Sequence, residues 1–214
     1  MTLLQRFLAD MPVVAILRGL SPEEALPAFD ALVDAGIRII EVPLNSPRPL
    51  DSLRRLVAQA GDDVLIGAGT VLTVTDLRSV AETGARLMVA PNCEPAVIAE
   101  AKAQGLMALP GVATPSEAFA ALRAGADALK MFPGEMLPPA VLKAWRAVLP
   151  AGTQLLPVGG VNMENMAEYV AAGAAGFGIG SALYKPGIAP PELGARARKL
   201  TARCRELFAA SGKV

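Results

Sequence analysis

Residues 106–132 read LMALPGVATPSEAFAALRAGADALKMF. They hold one complete structural unit and the start of the next. Leu106–Leu109 is a short apolar run of strand length. In PSEAFAALRAGA the apolar residues recur three and four apart, which gives a helix one buried face. Thr114-Pro115 suits the helix start, because the hydroxyl can accept a first-turn amide and proline lacks the amide that would go unpaired. Gly125 suits the end, where a left-handed residue without Cβ closes the last turn. Ala128–Phe132 is then the following strand.

The same unit recurs in both directions. Predicted strands are Val13–Leu17, Ile37–Val42, Val64–Gly67, Leu87–Ala90, Leu106–Leu109, Ala128–Phe132, Gln154–Val158 and Gly176–Ile179. Ser21-Pro22, Thr75-Asp76 and Asn162 are further predicted helix starts. Gly36, Gly61, Gly84, Gly105, Gly125, Gly152 and Gly173 stand 20 to 27 residues apart, about the length of a strand, a helix and two short loops. Eight strand–helix units with no change of composition predict an α/β chain, a (β/α)8 TIM barrel forming a single domain over residues 1–214. A short N-terminal segment precedes it, and PPELGARARKLTARCRELFAA, from Pro190, closes it as a surface helix containing an inert Cys204. A doubly wound open sheet is the alternative, but no GxGxxG follows the first strand.

The 214 residues are 53% hydrophobic and 19% charged, enough for a large core, and 20 basic side chains balance 20 acidic ones. That balance points to neither nucleic acid nor an anionic membrane. The absence of histidine removes Ser-His-Asp triads and every His-ligated metal site. Two cysteines, Cys93 and Cys204, make no disulfide framework or zinc motif, so no metal is expected and a reducing cytoplasm is the expected compartment. Arg6 and Asp10 interrupt the apolar N-terminus, which argues against a signal peptide, and no uncharged run is long enough to span a bilayer.

In a barrel of this type chemistry gathers at the C-terminal ends of the strands. Two ionisable residues interrupt the apolar runs there: Glu41 in IRIIEVPL and Lys130 in ADALKMFP. Lys102, Lys143 and Lys199 fall on predicted helix faces, Lys213 in the tail and Lys185 beyond the last strand. Burial would lower the pKa of Lys130 and leave a nucleophilic amine. A carboxylate at the mouth of the second strand could move protons for it. The competing reading is a structural ion pair. Gly159-Gly160 and Gly180-Ser181 form glycine-rich turns after the seventh and eighth predicted strands, where backbone amides can hold a phosphate. Arg18 is suited to an anion, Thr70 to a carboxylate, and Pro91 and Phe132 to pocket walls. Cys93 has no basic neighbour that would activate it.

The segments AILRG, IRIIEVPLNSP, LIGAGTVL, VAPN, LPGVATPSEA, ALKMFP, LLPVGGV and GFGIGS run in order from Ala15 to Ser181. Together they resemble the 2-dehydro-3-deoxy-phosphogluconate/phosphogalactonate aldolases, class I enzymes that use no metal or other cofactor. The resemblance implies a (β/α)8 barrel assembled as a homotrimer. It implies Lys130 as the Schiff-base lysine, Glu41 as the acid/base, and Arg18 and Thr70 at the pyruvyl end. The phosphate would lie on Gly159, Gly160, Gly180 and Ser181. Asn45 and Val158 stand where gluconate-specific members carry arginine and threonine, a departure shared with the phosphogalactonate branch. A phosphorylated 2-keto-3-deoxy sugar acid is therefore the expected partner. The residues taken alone leave two rivals open, a metal-free phosphosugar isomerase or epimerase and a non-catalytic phosphosugar-binding protein.

Overall fold

The computed structural model describes residues 2–210. It opens with α1 (Leu3–Asp10), β1 (Val13–Ile16), α2 (Ala25–Asp34), β2 (Ile39–Pro43), α3 (Pro49–Gln59) and β3 (Leu65–Gly69). Next come α4 (Val74–Ala81), β4 (Leu87–Val89), α5 (Pro95–Ala103), β5 (Met107–Leu109), β6 (Gly111–Val112) and α6 (Pro115–Arg123). After β7 (Leu129–Met131) and a 3-10 turn at Gly134–Met136 come α7 (Pro139–Arg146), β8 (Leu155–Pro157), α8 (Met166–Ala172), β9 (Phe177–Ile179) and α9 (Pro190–Ala210).

Every strand pair is parallel. One sheet has six strands in the order β5-β4-β3-β2-β1-β9, and the other has three in the order β6-β7-β8. A single bridge, Val158 to Gly178, links the strand ends of β8 and β9. The fifth predicted strand, Leu106–Leu109, forms β5, and a further short strand, β6, follows it. Pro110 lies between them and has no amide to give the ladder, so β5 pairs with β4 while β6 pairs with β7.

Side chains alternate across a strand, and here the alternation sorts the core into two clusters. Val14, Ile39, Leu65, Leu87, Val89, Leu109, Ala128 and Leu156 meet on the concave side, together with Leu4, Phe7 and Leu8 of α1. Val13, Ala15, Ile40, Val42, Ile66, Ala68, Leu129 and Met131 face the surrounding helices. Each of the three α1 side chains contributes roughly 1.5–3 kcal/mol relative to exposure. Counting by twos from Ile39 and Ala128 puts Glu41 and Lys130 on the concave side as well.

The short N-terminal segment forms α1, started by a reciprocal cap between Thr2 and Gln5. Thr114 caps α6 as predicted, and the Glu117 side chain returns to the Thr114 amide. Thr75-Asp76 fall in the first turn of α4, as predicted, with Thr73 as its cap. Two predicted starts shift. Ser21-Pro22 belongs to a turn before α2, whose first cap position is Glu24. Asn162 sits in a turn before α8, which begins after Asn165. In both, a polar residue two or three positions later takes the cap position, with helical backbone and no side-chain cap bond. Gly36, Gly84, Gly105, Gly125 and Gly173 all have positive φ, as predicted, and Gly152 of the same spacing series does too. Helix α9 packs on α2 and α8, with Cys204 buried and its thiol pushed up to about 12 by that burial. No described helix is long and apolar enough to cross a membrane.

Candidate active site

An open cleft of about 600 Å³ lies over the C-terminal ends of β1, β7, β8 and β9. Arg18, Lys130, Phe132, Val158, Gly159, Gly160, Gly180 and Ser181 line it. The volume is that of a small-molecule site. A second cavity, about 700 Å³, opens at the opposite end among Gln5, Pro12, Arg146 and Gln154. Its Arg146 is committed to the carbonyls of Thr153 and Gly173.

Lys130, only 5% exposed, pairs in register with Gly111 on one side and Leu156 on the other. Its Nζ lies 4.7 Å from the centre of the Phe132 ring. Burial depresses the pKa of the amine, the nearby Arg18 cation adds to this, and Glu41 opposes it. Glu41 is 1% exposed and sits in register with Ile16 of β1 and Gly67 of β3. Burial pushes its carboxyl up to about 7, against the pull of Lys130 and Arg18. Its Oε2 has no hydrogen-bond partner among the described residues. No ion pair within contact distance joins Glu41 to Lys130 among the described residues, although each charge acts on the other. The two groups interact through space across a gap, as an acid/base and a nucleophile can when substrate or water fills it.

Gly69 explains how the carboxylate fits. A Cβ at Gly69 would overlap the Glu41 carboxylate, so a larger residue would have to displace it. The next residue, Thr70, has φ 57, a left-handed backbone that costs a β-branched side chain on the order of 1–3 kcal/mol. Thr70, Asn45 and Pro91 stand outside the cleft lining. Asn45 is tied to it, since its Oδ1 accepts from Arg18 Nη1 at 3.1 Å. Buried Ser46 accepts the Gly19 amide at 2.9 Å and holds the loop that carries Arg18.

The two glycine-rich turns converge. The amides of Gly160, Val161, Gly180, Ser181 and Ala182 donate to no acceptor among the described residues. Asn165 fixes the first turn by donating to Gly160 O at 2.9 Å and accepting from the Asn162 amide at 2.9 Å. Glu24 holds the loop that follows the second. It accepts the Gly187 amide at 2.7 Å while also holding the Ser21 hydroxyl at 2.8 Å. Free amides facing one cleft form an anion site.

The lining also includes Glu135, Asn162, Tyr184 and Lys185. Tyr184 and Lys185 follow Gly180-Ser181 so closely that the turn itself was their signal. Asn162 was read only as a helix start. Glu135 had no periodicity to mark it, because it sits in the 3-10 turn after β7. Cys93 is only partly buried, and burial with Glu117 and Glu94 nearby raises its pKa, which leaves it unactivated.

A parallel α/β fold with a buried, unpaired amine at the strand ends, a separate buried carboxylate and an anion turn defines an enzyme that works on a carbonyl compound. The family described as KDPG and KHG aldolase matches residues 4–193. A Rhizobium meliloti (strain 1021) protein named "Probable 2-dehydro-3-deoxy-6-phosphogalactonate aldolase" is 50% identical over 88% of this chain and 89% of its own. The chain is similar to a solved structure described as native KDPGal, with TM-score 0.88 and 41% identity over 96% of this chain and 98% of the other. It is also similar to the KDPG aldolase of Legionella pneumophila, solved with pyruvate captured as a covalent carbinolamine. There the TM-score is 0.81 and identity 30%, over 96% of this chain and 98% of the other. The chain belongs to the KDPG and KHG aldolase family, and it is an aldolase.

Proposed function

We propose that the protein cleaves 2-dehydro-3-deoxy-6-phosphogalactonate to pyruvate and D-glyceraldehyde 3-phosphate through an imine on Lys130. The observation that carries this reading is the buried amine, held without an ion-pair partner beside the anion turns. Lys130 attacks the C2 ketone, and loss of water from the carbinolamine gives an iminium. Glu41, ionised and acting through a water, takes the C4 hydroxyl proton. The C3–C4 bond breaks, its electron pair moves into the iminium, and glyceraldehyde 3-phosphate leaves. The enamine is protonated at C3, and hydrolysis returns pyruvate and free lysine. Arg18 and Thr70 hold the pyruvyl carboxylate, with Asn45 orienting Arg18 and with Pro91 and Phe132 as walls. Gly159, Gly160, Gly180 and Ser181 hold the phosphate through their amides and a hydroxyl.

The names of the similar proteins and the side chain at Val158 support the galactonate compound. Val158 is buried at the cleft and offers the C4 hydroxyl no hydrogen bond, so rejection of the gluconate epimer rests on shape alone. Coupled assays on the two epimers side by side measure that selectivity. Borohydride with pyruvate should leave a reduced three-carbon adduct on Lys130. An active enzyme with no such adduct would point instead to an isomerase or epimerase.

The same reading extends to the scaffold. The two sheets and the Val158–Gly178 bridge support one closed (β/α)8 barrel forming a single domain. Exposed Leu72, Met136 and Val148 are side chains that a homotrimer interface would cover. Light scattering on the purified protein reads the subunit number. The absence of a disulfide framework agrees with a cytoplasmic enzyme.

A further inference from the structure

Glu135 is placed with care, yet it has no partner. The turn that carries it is pinned at both ends. The Gly134 amide donates to Val158 O at 2.7 Å, and the buried Tyr169 hydroxyl donates to Gly134 O at 3.2 Å and to Leu137 O at 3.3 Å. Its side chain lies over the paired glycines. A Cβ on Gly159 would come 2.5 Å from Glu135 Oε2, and one on Gly160 would come 2.8 Å from Glu135 Cγ. Gly159 (φ 101) and Gly160 (φ 66) therefore serve two needs, a left-handed turn and a seat for this side chain. Among the described residues no hydrogen bond or ion pair engages the carboxylate. It stands in the cleft beside the amides that form the anion site.

An acid beside an anion site weakens phosphate binding unless the ligand brings it a donor. An ionised carboxylate only accepts hydrogen bonds. The substrate's own carboxylate and phosphate are anions that it repels, so its hydroxyls are the available donors. The aldolase reading, on which this inference rests, gives the C4 hydroxyl to Glu41. Glu135 follows Lys130 by five residues in the chain and abuts the phosphate turn, so it faces the stretch between ketone and phosphate. We propose that Glu135 recognises the C5 hydroxyl of the substrate, which is the 2-hydroxyl of the aldehyde product, and so selects hydroxylated phospho-aldehydes.

The test runs the reaction as a condensation, with saturating pyruvate and two acceptors. These are D-glyceraldehyde 3-phosphate and 3-oxopropyl phosphate, which is the same molecule without its hydroxyl. Glu135→Ala should lower kcat/KM for glyceraldehyde 3-phosphate by about 10- to 100-fold, the range of a hydrogen bond to a charged group. For the deoxy aldehyde it should change kcat/KM by less than about threefold. Glu135→Gln, whose amide oxygen still accepts, should fall in between. The borohydride-trapped pyruvate adduct on Lys130 should be equal in all three proteins, which verifies their fold and imine chemistry. Equal losses on both aldehydes, no loss on either, or tighter use of glyceraldehyde 3-phosphate overturns the assignment. A wild-type protein that forms no adduct and condenses neither aldehyde instead overturns the aldolase reading, and this assignment falls with it.

Discussion

The two ends of the strands treat their charges in opposite ways. At the N-terminal end three cations, Arg38, Arg146 and Lys102, are tied to backbone carbonyls or a carboxylate. Arg38 donates to the carbonyls of Val33 and Ile37, and Arg146 to those of Thr153 and Gly173. Lys102 donates to Leu106 O at 3.2 Å and pairs with Asp127 at 2.6 Å, while Asp127 also accepts the Ala108 amide at 2.8 Å. Val33 and Gly173 stand at the carbonyl ends of α2 and α8, where the backbone lacks partners, and Ile37, Leu106 and Thr153 lie in the loops that lead into strands. At the C-terminal end Lys130, Glu41 and a row of amides stay unsatisfied, and Thr70 holds a strained backbone. One end is spent on holding the fold, and the other keeps its interactions for a ligand.

Lys130→Met breaks this contrast most sharply. A thioether of similar length keeps the packing but removes the nucleophile, so kcat/KM in the cleavage assay should fall by at least about 10⁴-fold. The same change removes an amine that burial disfavours, so Tm should hold or rise by a few degrees. A large loss of Tm would mean that the amine has a structural partner after all.

Glu41→Gln should lower kcat by on the order of 10²- to 10⁴-fold while leaving the borohydride-trapped pyruvate adduct detectable. Its pH behaviour has a definite sign. The folded carboxyl sits at about 7, above its ordinary 4.5, so the protonated form is the one the fold favours. Its share of stability is full below pH 4.5 and is lost as pH rises through 7. Denaturant melts at pH 5.5 and at pH 8.5 should therefore show a smaller drop for Glu41→Gln than for wild type. Cleavage needs the ionised form, so wild-type kcat/KM should rise with pH through about 7. Glu41 and Lys130 interact, so the apparent values belong to the pair.

Gly69→Ala sharpens the contrast without touching a reacting group. The new methyl would displace the Glu41 carboxylate and cost about 1–3 kcal/mol by overpacking. Cleavage should fall by roughly 10- to 100-fold, the scale of a misplaced reacting group. A fall in stability with undiminished kcat would show that the carboxylate's position does not matter.

The repeat of strand, helix and glycine was legible because it recurs and each period carries its own start and stop. Glu41 and Lys130 were legible for the opposite reason, since each breaks an apolar run. What the chain hid were features set by contacts distant in sequence. Pro110 parts β5 from β6, and β4 and β7 pair with one each. The packing of α1 against the concave core depends on the strands that converge above it. Glu135 lies in a turn without periodicity and gains meaning only when the Gly159-Gly160 turn comes to lie beneath it. The relation of Thr70, Asn45 and Pro91 to the cleft likewise depended on loop geometry. They fall outside its lining, and Asn45 is tied to it through Arg18.

The smallest effect on catalysis is expected from the lysine at the other end. Lys102 and Asp127 form the nearest counterpart to the ion pair that Lys130 lacks, with side chains 31% and 8% exposed. Lys102→Met leaves Asp127 with the Ala108 amide but without its cation, and it also releases the Leu106 carbonyl. A half-buried carboxylate that loses its partner should cost about 1–3 kcal/mol, visible as a lower denaturation midpoint with an unchanged slope. Because nothing at that end faces the cleft, kcat and KM per folded molecule should stay within about twofold of wild type. Asp127→Asn should show the same split, milder because an amide oxygen still accepts from both donors. If either variant instead lost turnover with its fold intact, the division of labour between the two ends would be wrong, and the catalytic end would depend on charges at the far side of the sheet.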